Sequence, residues 1–289
     1  MPSSARELIG LLDLEEIDVN LFRGTQPDTM LQRVFGGQVA GQALVAGART
    51  VDQERVVHSL HSYFLRPGDP AVPIVYDVER IRDGRSFSTR RIVARQHGRA
   101  IYYMTASFQV PEEGLEHQDV MPEVPAPDDS PDLAELVGRR SPEYAEGWKR
   151  EWAALAIRYV GDSRPGGGLP ADEHPSQARL WIRVNGEVGD DPLMHQAAFT
   201  YASDLTLLGS ALVAHDLQVG SPSIQAASLD HTIWFHRPFR ADEWLLYDQV
   251  SPTAVGARGL AFGRLFTEAG VLVASVAQEG LIRHRPDVG

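Results

Sequence analysis

Cysteine is absent from the 289-residue chain. A disulfide framework, a thiolate metal site, an iron–sulfur cluster and a cysteine nucleophile are therefore excluded. Lysine is almost absent too: Lys149 stands alone, and arginine carries nearly all the positive charge. Acids outnumber bases, 39 Asp and Glu against 27 Lys and Arg, for a net charge of −12. A chain of that sign repels a phosphate backbone, so general nucleic-acid binding is not expected. One phosphorylated ligand held by local arginines remains open. No stretch approaches the roughly 18 apolar residues that mark a membrane-spanning helix. The opening MPSSARELIGLLDLEEIDVNLF lacks a basic leader and mixes acids with its leucines. It is expected to form a first amphipathic helix rather than a signal peptide. The closing RPDVG carries no receptor-read address, and a cytoplasmic setting is the expectation. Three motifs are missing as well: the G-x-S-x-G elbow of serine hydrolases, the H-E-x-x-H helix of zinc hydrolases, and a dinucleotide fingerprint following a strand. Gly166-Gly167-Gly168 is flanked by Pro165 and Pro170 and reads as a loop, not a phosphate cradle.

What is present supports a folded core, with 43% hydrophobic and 23% charged residues. Residues 111–145 collect prolines (Pro111, Pro122, Pro125, Pro127, Pro131, Pro142) and acids from Glu112 to Asp132. Proline blocks regular structure and the acids keep the strip in water, so it predicts a connector between two halves. The halves resemble each other. SLHSYFLRP (59–67) precedes VPIVYDVERI, RSFSTRRIVARQHG and RAIYYMTASFQ; SLDHTIWFHRP (228–238) precedes EWLLYDQV, ARGLAFGRLFTEAG and VLVASVAQEG. Arg66 stands as far ahead of Gly98 as Arg237 does of Gly270, to within one residue. Each block is rich in β-branched and aromatic residues between glycine turns, which predicts four antiparallel strands, twice. A helix precedes each block. The first is FGGQVAGQALVAGART (35–50), whose small residues let a sheet wrap it closely. The second starts at Asp191-Pro192, an N-cap acid followed by proline, and is expected to run through LMHQAAFTYASDLTLLGSALVAH with a break near Gly209. The expected class is α+β: two tandem units over 1–110 and 150–289, each a central helix wrapped by an antiparallel β-sheet, joined by the acidic, proline-rich 111–149.

Two polar residues fall on apolar faces. Asp204 shares a helical face with Ala197, Thr200 and Leu208, where a carboxylate needs a partner; alternatively Ser203-Asp204 caps a new helix after a break. Gln278 shares a strand face with Leu272, Ala274 and Val276. It is either a satisfied core amide or a positioned donor and acceptor. Ser228 and His231 lie three apart on one expected strand, so they face opposite ways unless a bulge intervenes. That argues against a serine–histidine dyad and leaves His231 a structural histidine.

The segments VFGGQVAGQAL (34–44), HSYFLRPGD (61–69), GRSFSTRRIVARQHG (84–98), YASDLTLLGSAL (201–212), SLDHTIWFHRPFRADEWLLY (228–247) and GVLVASVAQEGLIR (270–283) together resemble the acyl-CoA thioesterase II family. The resemblance covers nearly the whole chain except the connector and residues 161–175. It implies a double hotdog and hydrolysis of fatty acyl-CoA to free fatty acid and CoA with no cofactor or metal. It implies that an aspartate, a hydroxyl and a glutamine orient the attacking water, at Asp204, Ser228 and Gln278. Threonine is the commoner hydroxyl in the family, so Ser228 is a departure that keeps the oxygen and loses a methyl. The same reading names acyl-CoA as the partner and expects a homo-oligomer. The competing readings are a hotdog enoyl-CoA hydratase or dehydratase, pairing Asp204 with His195 or His231, and a non-catalytic acyl-CoA binding protein.

Overall fold

Ser4 accepts a hydrogen bond from the Glu7 amide and so caps helix α1 (Ala5–Leu12), which buries Ala5, Leu8, Leu11 and Leu12. The computed structural model describes residues 1–140 and 142–285; the closing segment 286–289, where a targeting address was sought, lies outside them. The helix is shorter than expected from sequence. Residues beyond Leu12 turn into a hairpin, β1 (Glu15–Asp18) and β2 (Leu21–Gly24), with Asn20 in the left-handed region at φ 60°. Ile17 and Val19 favour extended backbone, and asparagine tolerates that φ better than most residues.

Helix α2 (Gly36–Ala48) follows, buried from Gly37 to Gly47. Four long strands then run antiparallel: β3 (Val56–Phe64), β4 (Ile74–Asp83), β5 (Phe87–Gln96) and β6 (Arg99–Gln109). His97 (φ 48°) and Gly98 (φ 72°) close β5 to β6 in a tight two-residue turn whose twist suits the hairpin. The connector is extended and largely exposed as far as Val120. It is nevertheless anchored. Gln118 donates to the Gly270 carbonyl (2.8 Å), and the Trp181 indole donates to the Pro125 carbonyl (2.9 Å). Met121 and Val124 cover Trp181, Leu246, Phe266 and Leu272 on the outer face of the second half. Past Pro131 the chain is helical, contrary to an unstructured strip: α3 (Leu133–Arg140) and α4 (Pro142–Glu151). Asp132 caps α3 through the Ala134 amide (2.8 Å), and Pro142 sits where α4 begins, the one helical position that tolerates it.

The second half opens with a hairpin missed from sequence, β7 (Leu155–Asp162) and β8 (Gln177–Val184). Helix α5 (Pro192–Ser203) is capped as expected, the Asp191 carboxylate accepting the Leu193 amide. It stops at Ser203, well before the expected break at Gly209; a turn and a short α6 (Ser210–Val213) follow. Then come β9 (Ile224–Ser228), β10 (Asp230–Phe235), β11 (Leu245–Val255), β12 (Arg258–Thr267) and β13 (Leu272–His284).

The strands form one antiparallel sheet in the order β1-β2-β4-β5-β6-β3-β10-β13-β12-β11-β8-β7, with β9 added on β13. Read outward from the β3–β10 pair, the two directions repeat the same succession: a strand, a three-strand meander, then a preceding hairpin. Helices α2 and α5 lie back to back under the sheet at unusually short range. A Cβ on Gly37 would sit 2.1 Å from the Tyr201 carbonyl oxygen, and one on Gly41 3.0 Å from that of Ala197. Glycine is required at Gly37 for the helices to meet so closely, and Gly41 leaves little room to spare. The architecture is an α+β double hotdog.

Candidate active site

Asp204 is the C-cap of α5, neither on a continuing helix face nor the start of a new helix. That position turns its side chain toward β9 and β13. Ser228 Oγ donates to Asp204 Oδ1 at 2.9 Å, and Gln278 Nε2 donates to the same oxygen at 2.5 Å. The Gly37 amide faces the same carboxylate and helps to lower its pKa. Gly36 leaves the space for Oδ2, since a Cβ there would lie 2.5 Å from it and 2.7 Å from Phe64 Cε1. The three residues singled out in the sequence thus meet at one carboxylate, from a helix end and two strands. Burial pushes the Asp204 carboxyl up to about 6, against the opposing pull of the bonds from Gln278, Ser228 and Gly37.

Ser228 and His231 both face inward, which a regular strand forbids. Ser228 pairs with Gly280 and Thr232 with Ala277, so four steps on one side match three on the other. The extra residue is a bulge, held by the Glu279 amide donating to Asp230 Oδ1 (2.7 Å) and the Leu229 amide donating to the Glu279 carbonyl (2.9 Å). Even so, no dyad forms. His231 Nε2 meets Ser203 Oγ at 2.8 Å, and burial pushes the imidazole down to about 3, so it stays neutral. His195 is committed elsewhere, to the Ala241 amide and the Gly189 carbonyl. Neither histidine pairs with Asp204, as a hydratase would need.

Gln278 occupies the inward face of β13 as the alternation predicts, fully buried. Its Nε2 is bonded but its Oε1 has no partner, so it is not simply a satisfied core amide. The first half has no such set. Aligning Gly98 with Gly270 puts Ala106 in the place of Gln278. The strand beside it carries Arg90, whose guanidinium is buried against Thr50 (Nε to Oγ1, 2.8 Å) and paired with Asp83 (2.6 Å). Beside Asp204 stands Phe64, whose ring lies against Tyr102 (5.1 Å); at the α2–α5 contact Phe35 lies against Tyr201 (5.1 Å) and Trp152 (4.8 Å). Trp152 also lines a cavity of about 330 Å³ with Trp148, Leu155 and Ile157. The Gly37 contact and these rings were not anticipated from the sequence, which showed only that the helix at 35–50 is rich in small residues.

Two family profiles match the chain: one described as acyl-CoA thioesterase, over residues 166–281, and one described as acyl-CoA thioesterase N-terminal domain, over residues 25–109. Acyl-CoA thioesterase 2 of Haemophilus influenzae is 41% identical, across 98% of this chain and 99% of its own. Among solved structures, an acyl-CoA thioesterase II from Mycobacterium marinum is 47% identical with a TM-score of 0.83, covering 97% of this chain and 99% of that one. A protein of hot dog fold from Alicyclobacillus acidocaldarius shares the fold at 20% identity, with a TM-score of 0.76 over 96% and 98% of the two chains.

Proposed function

The chain belongs to the acyl-CoA thioesterase family, and from that premise we propose that it hydrolyses fatty acyl-CoA by direct attack of a water held at Asp204, Ser228 and Gln278. The observation that carries this reading is the convergence of Ser228 and Gln278 on one carboxylate oxygen while Gln278 Oε1 stays unpaired. Asp204 is the general base. Its raised pKa makes it a stronger base than an ordinary carboxylate, yet leaves it mostly ionised near neutrality. A water donating one proton to Asp204 and the other to Gln278 Oε1 uses both acceptors. As the water oxygen bonds to the thioester carbon, Asp204 takes a proton and the carbonyl electron pair moves to oxygen. When that pair returns, the carbon–sulfur bond breaks, and the proton on Asp204 passes to the departing thiolate. Fatty acid and CoA leave with atoms and charge in balance.

This route has no acyl-enzyme. A single turnover in ¹⁸O-labelled water is expected to place the label in the fatty acid, with no acyl group on the protein. Mass-spectrometric capture of an acyl ester on Ser228 would refute direct attack.

The chain is read as two units over 1–110 and 150–289 joined by 111–149, a division that the mirrored strand order supports and in which α3 and most of α4 fall in the connector. A cytoplasmic homo-oligomer is part of the same proposal. Tyr63, Phe87, Trp234 and Phe262 all stand exposed on strands of the sheet's outer face, β3, β5, β10 and β12. Exposed aromatic side chains gathered on one face favour association. Sedimentation at micromolar concentration is expected to show a mass above that of one chain; a monomer would remove this part.

A further inference from the structure

Among the described residues, three buried side-chain atoms without a hydrogen-bond partner surround the Ser203–Asp204 corner: Tyr102 Oη, Gln278 Oε1 and His231 Nδ1. Leaving a buried polar atom unpaired costs about 1–3 kcal/mol, so three together mark a place prepared for groups that arrive. Two of them are acceptors. Gln278 Oε1 is a carbonyl. Ser203 gives its proton to the Thr200 carbonyl (3.0 Å), so it receives one from His231 Nε2, and His231 Nδ1 is then the bare nitrogen.

The third is a donor. Tyr102 lies on β6, 1% exposed, with its ring against Phe64. Phe64 and Asp204 Oδ2 flank the same missing Cβ of Gly36, which places the phenol along the wall of the Asp204 site. The Ser62 hydroxyl stands nearby, but its proton goes to the His231 carbonyl at 2.6 Å, and no well-formed hydrogen bond joins it to the phenol. Burial holds the phenol far above its ordinary value, against an opposing pull from Ser62 and with the Asp204 charge pushing the same way as burial, so it stays protonated at any working pH.

Hydrolysis requires one donor that Asp204, Ser228 and Gln278 do not supply, because negative charge develops on the carbonyl oxygen. The Gly37 amide, at the start of α2, faces the carboxylate. Resting on the reading of Asp204 as general base, we propose that Tyr102 is a further catalytic residue whose hydroxyl donates a hydrogen bond to the thioester oxygen and to the alkoxide that it becomes. Tyr102 keeps its proton throughout. Its hydrogen bond shortens as the carbonyl pair moves to oxygen and relaxes when that pair returns and the carbon–sulfur bond breaks.

The test measures kcat, KM and Tm for Tyr102→Phe beside Asp204→Asn on one saturated acyl-CoA. Tyr102→Phe is expected to lose about 10²-fold in kcat, the usual order for one oxyanion donor, with KM little changed. Its Tm should hold or rise, since an unpaired buried hydroxyl has been removed. Wild-type kcat in Tyr102→Phe with Asp204→Asn inactive overturns the role of Tyr102 alone, leaving the oxygen to backbone amides. Wild-type kcat in both overturns the Asp204 reading too. A rise in KM at constant kcat, or a kcat loss tracking a fall in Tm, also overturns it, because the hydroxyl would then serve binding or folding.

Discussion

Asp204→Asn is expected to lower kcat by about 10²–10⁴-fold, the range that a general base contributes, without lowering Tm. The two parts have one cause. The carboxyl is raised from 3.8 to about 6, chiefly by burial. A group that binds its proton more tightly folded than unfolded favours the fold when protonated. That contribution is present below the unfolded value and is lost as pH rises from about 4 to about 6. Above pH 6 the ionised Asp204 therefore weighs against stability, and asparagine removes the charge while keeping an oxygen for Ser228 and Gln278. In the wild type, kcat/KM should fall on the acid side with an apparent pKa near 6, as the base is protonated. Ser228→Ala and Gln278→Ala should lower turnover while leaving acyl-CoA binding, and Ser228→Thr should retain activity. Thermal melts and turnover on the same preparations decide the matter. Asp204→Asn hydrolysing at wild-type rate would show that the site is elsewhere.

Gly37→Ala is expected to damage both stability and turnover. The added Cβ would meet the Tyr201 carbonyl oxygen at 2.1 Å and Phe35 Cε1 at 2.5 Å. The first obstacle is backbone, so α2 must move off α5. Overpacking of this kind costs about 1–3 kcal/mol, occasionally more, and each kcal/mol lowers Tm by about 2–4 °C in a chain somewhat smaller than this one. Moving α2 also withdraws the Gly37 amide from Asp204, so kcat should fall beyond what the unfolded fraction explains. Gly36→Ala makes a contrast, since its Cβ would strike Asp204 Oδ2 and Phe64, which are side chains that can yield. It should lose turnover with less loss of Tm. A Gly37→Ala protein with wild-type Tm would mean that the helices do not meet so closely.

Much of this was readable from residues whose local signals agree with the final structure. The glycine-bounded strand blocks, the small-residue helix at 36–48 and the Asp191-Pro192 cap all obey short-range rules. Gln278 was found on the inward face because alternation along β13 is unbroken there. What escaped depends on distant partners. Nothing between Ser228 and His231 announces a bulge, because it arises from Asp230 bonding a residue on another strand. The early end of α5 is similar: SDLTLLG suits a helix, yet bonds from β9 and β13 capture Asp204. The β7–β8 hairpin was hidden by its long loop, and α3 and α4 by the prolines before them. The meeting of Asp204, Ser228 and Gln278 came from family resemblance, since their separation in the chain gives no local sign of contact.

The central β3–β10 pair has a consequence for synthesis. Ser62 is paired with His231, so β3 emerges from the ribosome long before the strand that covers its flank. Until then the first half carries a nine-residue open edge, Val56–Phe64, without proline and with no acid or lysine to discourage pairing. Such an edge recruits whatever strand is nearest. A truncated first half would therefore meet another copy of itself there, edge to edge, in the antiparallel sense that β10 normally satisfies. Fusing the halves into one chain supplies each nascent β3 with a tethered partner and removes the concentration dependence of finding one.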